Sequence, residues 1–473
     1  MLNDDSGALA SRTSVLQAKP SDSESQLHIF KAISRFLPDK DEHHSFWWKV
    51  TGRHVARMLH EARYPKERQV ELLLFHRFTV VPRLGPKPTS TEPWFKSSVA
   101  HGAGDGSPIG YSWRWGTGSD SKPVIAQYVE PMGSLTGTAA DPLNEFATKE
   151  MLRELGKILP SASMSSVWKF AAHLRPNMTD EATRATADSS MVVGMECGSE
   201  SDTIDVIAGL NMRAPQQVSE LTTIFSNTMR DIYGPDTPLD CLNAVRDFIE
   251  THPHGKYLTM LGTTGIDCRM PESSRFKIYV TTRNMSFDHI ASIMTLGGRK
   301  KESTESLKQL RELWYGLKGL DAGFPTSAQS STVSMNGRGD QCDTAADPNT
   351  SGVAFSFAIH PKYTVPQVKL QVDIGKHATS DWAAIEAVTS FLAQRGQARD
   401  AQAYRNTVCG IVSEQDLRTH RGLQASFEFA IKNGEIDITS YFLPQVYRRF
   451  AEIQDELNPM SQRRQRRSRF DSY

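Results

Sequence analysis

Apolar residues recur at helical spacing early in the chain: Trp47, Trp48, Val55, Met58, Leu59 and Ala62, then Val70, Leu73 and Leu74, with a break at Tyr64-Pro65. Pro82, Gly85, Pro86 and Pro88 close the second helix. The period then changes to two. PIGYSWRW (108–115) and VIAQYVE (124–130) read as short strands joined through Gly116, Gly118 and Asp120. The same alternation predicts strands over 191–195, 275–280, 355–360, 365–374 and 424–431, the last turning through Asn433-Gly434 into ITSYFL. Helices are predicted over 142–158, 215–233, 240–250, 302–317 and 381–394. The order is repeatedly helix, strand, strand, helix. Parallel strands would need a crossover after each one, so an antiparallel sheet with helices outside fits better.

One stretch interrupts this order. Residues 323–352 are rich in Ser, Gly, Asp, Asn and Thr and read as a loop insertion, with strand patterns continuing on its far side. Residues 1–25 are polar and read as flexible, and 456–473 as a basic tail, so a single domain is expected over 26–455.

Composition narrows the function classes. Hydrophobic residues make up 38% and charged residues 23%, enough for a sizeable core. The 54 basic and 54 acidic side chains cancel, so no overall field favours nucleic acid or a membrane. Arg463, Arg464, Arg466, Arg467 and Arg469 read as a solvated tail rather than a nucleic-acid patch. The five cysteines form no Cys-x-x-Cys pair and read as free thiols in a reducing compartment. His43 and His44 lack a third ligand, so no metal is expected. With no signal peptide and no long apolar span, a cytoplasmic protein is expected. LGGRKKES (296–303) lacks the phosphate-loop pattern.

Candidate chemistry centres on RFKIY. Its alternation puts Arg275, Lys277 and Tyr279 on one strand face. A departing diphosphate needs converging cationic donors, and an allylic cation needs aromatic faces in dry surroundings. This face offers both residue types, although a face turned to solvent would carry the same charges for solubility alone. Lys369 and Tyr441 lie on other alternating strands, and Glu130 is a candidate general base.

Several segments resemble one family in order and spacing. They are Trp47 or Trp48, Met58-Leu59, Ala62, Tyr64, Gln69, the run Val81 to Gly85, DGSPIGYSWRW (105–115), Glu130-Pro131, RFKIY (275–279), VKLQ (368–371) and DITSYFLP (437–444). Together they resemble the dimethylallyltryptophan synthase family of fungal aromatic prenyltransferases over roughly residues 40–450. The resemblance implies an α+β fold: an antiparallel ten-stranded β-barrel surrounded by α-helices, built from αββα units around a solvent-filled chamber. It implies a small aromatic acceptor, with dimethylallyl or a longer prenyl diphosphate as co-substrate. No metal or other cofactor is required, and the protein is expected as a monomer or homodimer. By the same resemblance Arg275, Lys277 and Lys369 hold the diphosphate, while Tyr279 and Tyr441 shield the cation.

The chain also departs from that family's pattern. Gly110 stands where the acceptor-binding glutamate is expected, and Ala126 where the first diphosphate arginine is expected. Gly194 and Glu196 replace a Lys-x-Tyr pair, and Gln371 and Ser426 replace barrel tyrosines. A carboxylate at Glu196 would repel diphosphate. The volume vacated at Gly110, beside Tyr111 and Trp113, is expected to admit a polycyclic or phenolic aromatic in place of free tryptophan. The thinned diphosphate set leaves two further readings open. One is a cyclase or rearrangement catalyst acting on a preformed, prenylated aromatic. The other is a non-catalytic binding barrel.

Overall fold

The computed structural model describes residues 27–99, 104–116, 122–174, 191–200, 203–211, 218–330 and 352–458. The expected flexible N-terminus, most of the insertion at 323–352 and the arginines of the tail lie outside these residues.

Ten strands run β1 (Ile109–Gly116), β2 (Val124–Val129), β3 (Met191–Gly198), β4 (Ile204–Asn211), β5 (Thr259–Asp267), β6 (Phe276–Thr282), β7 (Val353–Ile359), β8 (Gln367–Asp373), β9 (Gln424–Lys432) and β10 (Glu435–Phe442). Each pairs antiparallel with its sequence neighbour, and β10 returns to β1, so the sheet closes on itself. The fold is therefore α+β, a closed ten-stranded antiparallel barrel wrapped by helices. Closure removes every unpaired strand edge.

Strand period explains the two surfaces. On β1, Tyr111, Trp113 and Trp115 face the helices and are at most 2% exposed. Trp113 and Trp115 stack on each other and both meet the ring of Tyr404, from helix Ala398–Cys409, edge-on. The Tyr404 hydroxyl reaches Gln424 and Ser440, so its polar end is satisfied within the apolar layer. Phe276 of β6 does the same work on the opposite side, packed against Phe170 and Phe225 of two helices. These rings form one continuous core between barrel and helices. The alternate residues point the other way, into the barrel, and they are not apolar.

Two strands escape the sequence patterning. β4 (IDVIAGLN) and β5 (TMLGTTGID) are glycine-interrupted, and β5 shifts register between Met260 and Thr264. A bulge breaks the alternation that marks a strand in sequence. The helices Ser165–Leu174 and Ala398–Cys409 also lie outside the predicted set.

Candidate active site in the barrel chamber

The inward positions alternate with the buried rings just described. β6 contributes Lys277 and Tyr279, β8 contributes Lys369 and Gln371, and β9 contributes Ser426 and Glu428. β10 contributes Tyr441, β1 contributes Ser112 and Arg114, and β2 contributes Ala126 and Tyr128. β3 contributes Gly194 and Glu196. Arg114 keeps 28% exposure and Lys369 23%, while Glu428 is buried at 7% and the outward neighbours have almost none. The barrel thus encloses a polar, solvent-accessible chamber.

Cations gathered on Glu196, Glu428 and Asp267 organise it. Arg114 donates to Glu196 at 3.2 Å. Lys369 donates to Glu428 at 2.9 Å, and the Tyr441 hydroxyl donates to the same Oε2 at 3.0 Å. At one rim Asp267 accepts from Arg275 at 2.6 Å and lies 3.3 Å from Lys277 Nζ. Further along that rim Arg269 pairs with Asp205, and Lys432 with Asp437. Burial alone would raise the carboxyls of Glu196, Asp267 and Glu428. The surrounding cations outweigh burial and hold all three below their ordinary values: Arg114 foremost for Glu196, Lys277 for Asp267 and Lys369 for Glu428. Burial pushes the phenols of Tyr128, Tyr279 and Tyr441 upward, so these rings stay neutral. Tyr128 and Tyr441 pack with ring centroids 5.4 Å apart. Lys277, Lys369, Glu196 and Glu428 therefore face the aromatic groups Tyr128, Tyr279 and Tyr441 across one space.

Several expectations need correction. Tyr111 and Trp113 do not line the chamber, because they alternate with Gly110 and belong to the helix-facing side. Tyr111 instead reaches His54 Nδ1 at 3.2 Å. The space at Gly110 is not vacant either. A Cβ there would meet Leu443 at 3.0 Å and Val99 at 3.1 Å, so apolar side chains already close it. Gly194 has a similar cause, since a Cβ would stand 2.9 Å from the Tyr128 ring. The glycine makes room for an aromatic contributed by the next strand. Glu130 is fully buried below the other end of the barrel. Its Oε2 accepts from Ser97 at 2.9 Å and from the Ser98 backbone N–H at 2.8 Å, and its Oε1 accepts from Asn144 at 3.1 Å. With both oxygens taken, it holds the chain segments together and cannot serve as a chamber base.

The remaining predicted residues fall as follows. Lys277, Tyr279, Lys369 and Tyr441 converge in the chamber, with Gln371 bonded to Ser426 at 3.3 Å. Ala126 is inward between Ser112 and Glu196. Arg275 precedes β6 and sits at the rim, its guanidinium on Asp267. Glu196 is neutralised by Arg114 rather than left as a lone repelling charge. Sequence reasoning missed Arg114, Tyr128, Asp267 and Glu428. Arg114 did carry a signal, as the one charge in the aromatic run YSWRW. Among the described residues no group of three or more His, Cys, Asp or Glu is arranged to hold a metal. No described helix is long and apolar enough to cross a membrane.

A closed antiparallel barrel of ten strands, ringed by helices and holding cations beside tyrosines, is the architecture of the aromatic prenyltransferases. The chain matches the tryptophan dimethylallyltransferase family over residues 43–407 and belongs to it. It is 60% identical to the prenyltransferase vrtC of Penicillium aethiopicum over 96% of both chains. It is 50% identical to the prenyltransferase nscD of Aspergillus fumigatus over 94% of this chain and 96% of that one. The crystal structure of AnaPT from Neosartorya fischeri superposes with a TM-score of 0.69 at 20% identity, covering 88% of this chain and 97% of that chain. That last likeness speaks for the fold.

Proposed function

We propose that the protein transfers a dimethylallyl or longer prenyl group from its diphosphate to a polycyclic or phenolic aromatic acceptor. The observation that carries this reading is the convergence of Lys277 and Lys369 with Tyr279 and Tyr441 in one enclosed chamber. Kinship with the prenyltransferases vrtC and nscD supports it. Lys369 spends one donor on Glu428 and keeps two for a ligand oxygen, while Lys277 stands beside Asp267 as an ion pair. Arg114 and the rim residue Arg275 add guanidinium donors near the same space. In the reaction, the C–O bond of the prenyl diphosphate breaks and the diphosphate leaves with the electron pair. The allylic cation forms against Tyr279 and Tyr441, whose neutral rings stabilise it without trapping it. A carbon of the electron-rich ring closes the new C–C bond, and the ring proton passes to the departing diphosphate, restoring aromaticity.

Free tryptophan is a poor acceptor on this reading. The position of the indole-binding carboxylate is Gly110, and the neighbouring space is closed by Val99 and Leu443. Calorimetric titration with dimethylallyl and geranyl thiolodiphosphates, non-hydrolysable donor mimics, tests the proposal. Micromolar binding that depends on Lys277 supports transfer.

One observation favours a second reading, a diphosphate-independent cyclase or rearrangement catalyst. Arg114, Lys277, Lys369, Lys432, Arg269 and Arg275 each already face a carboxylate. A site built on preformed pairs suits positioning of a neutral ligand as well as capture of an anion. Absence of thiolodiphosphate binding, with and without an aromatic ligand, would leave that reading standing.

A further inference from the structure

We propose that Glu428 is the acceptor-binding carboxylate of this chamber, accepting a hydrogen bond from a ring hydroxyl of the aromatic substrate. The inference rests on the transfer reading and specifies its acceptor as a phenol.

The argument begins from what β1 lacks. Gly110 offers no side chain, and Val99 and Leu443 occupy the space in front of it. Glu130, the next carboxylate along, has both oxygens committed beneath the barrel. An electron-rich acceptor held by a carboxylate must therefore find it elsewhere in the chamber. Asp267, Asp205 and Asp437 belong to the rim, each engaged by a rim cation. Glu196 on β3 is engaged by Arg114 of β1 and, among the described residues, accepts from no tyrosine hydroxyl, so it lacks the second donor that orients Glu428.

Glu428 differs from all of these. It lies mid-strand on β9, opposite Gln371 on one side and Thr439 on the other, so it sits deep in the barrel. Both of its bonds, from Lys369 and from Tyr441, fall on Oε2. Among the described residues Oε1 receives no hydrogen bond. The carboxylate is thus fixed in orientation by one oxygen and presents the other. Around it stand Tyr128 and the four groups that the transfer reading assigns to the donor, Lys369, Lys277, Tyr441 and Tyr279.

The geometry couples acceptor to donor. Lys369 touches Glu428 and retains two N–H donors for a diphosphate oxygen. A hydroxyl bound to Oε1 would consequently be held within one lysine of the leaving group. A hydrogen bond to an anionic acceptor pushes electron density from the hydroxyl oxygen into the ring, activating its ortho and para carbons toward the allylic cation. An indole N–H could use the same oxygen, but a ring hydroxyl activates the adjacent carbon directly.

The test is calorimetric titration of the full-length protein with 1-naphthol and with 1-methoxynaphthalene, each with and without geranyl thiolodiphosphate. The wild-type protein should hold 1-naphthol roughly tenfold more tightly than its methyl ether, the worth of one hydrogen bond to a charged group. Glu428→Gln should bring the two within about twofold, with affinity for the thiolodiphosphate retained. Glu428→Asp keeps the charge but withdraws it, and should show an intermediate preference. It keeps the test open if the glutamine variant does not fold. A wild-type protein without preference for 1-naphthol, or a glutamine variant that keeps the whole preference, would overturn the inference. Failure of the transfer reading would register separately, as absent thiolodiphosphate binding in the wild-type protein.

Discussion

The two faces of β1 differ in how their residues are satisfied. On the helix side, Tyr111, Trp113 and Trp115 are held by rings from elements packed directly over them. On the chamber side, Gly110 is closed over by Val99 and Leu443, and Arg114 finds its partner two strands away on β3. The outer face is governed by volume and the inner by charge balance. A substitution on the first should alter stability, and on the second, ligand binding.

The largest expected effect tests the outer face. Trp113→Ala should lower unfolding free energy by about 3–5 kcal/mol, since its ring is fully buried against Trp115 and Tyr404. Urea titration followed by fluorescence checks it, and a loss under 1 kcal/mol would dissolve the contrast between faces.

A second prediction concerns pH and the outer layer. Asp381 starts helix Asp381–Gln394 and accepts from the backbone N–H groups of Gly422 and Leu423, just before β9. Burial raises its carboxyl to about 6, with those N–H groups limiting the rise. A raised acid favours the protonated form in the folded state. Its contribution is therefore complete below the ordinary value near 3.8 and is lost as pH climbs through about 6. Melting measured from pH 4 to 7 should show the wild-type protein losing ground to Asp381→Asn, by up to about 3 kcal/mol. A difference that does not vary with pH would contradict it.

The inner face should respond in the opposite currency of effect. Lys277→Ala leaves Asp267 with Arg275, so stability should change by less than about 1 kcal/mol. Thiolodiphosphate affinity should fall by at least about tenfold, the loss of a charge-assisted bond. Calorimetry and a melting curve on the same sample separate the two.

The smallest effect sharpens the boundary between faces. Gly110→Ala presses a methyl against the ends of Val99 and Leu443, which can yield, and should cost about 1 kcal/mol. Gly110→Glu, placed in the same closed space, should not produce turnover of free tryptophan. Efficient turnover by that variant would mean that the space opens.

Legibility in the sequence follows the same division. Lys277 and Tyr279 were readable because RFKIY alternates without interruption, and period two alone puts them on one face. The same rule excludes Tyr111 and Trp113 from the side of Gly110, and the expectation that grouped them took adjacency along the chain for adjacency in space. Period does not say which face is inward or what already fills a gap. Val99 and Leu443 come to Gly110 from outside its strand, so their closure of it leaves no local trace. Glu428 was illegible for a related reason. Its meaning depends on Lys369 and Tyr441, which flank it only after β8, β9 and β10 have paired. The bulge in β5 hid that strand, while the barrel itself was reachable only through the family likeness.

The closure of the barrel bears on how the chain is made. Trp113 of the first strand pairs with Ser440 of the last, 327 residues downstream, so the seam cannot form until all ten strands have left the ribosome. Until then β1 exposes a row of unmet amide and carbonyl groups beside three large aromatic rings. Hairpins β1–β2 and β9–β10 are local and can form as they emerge, whereas their union is a late, non-local step of the kind that slows folding. During synthesis the nascent barrel is an open sheet whose unpaired edge can join other chains, so the late seam is where misassembly would begin.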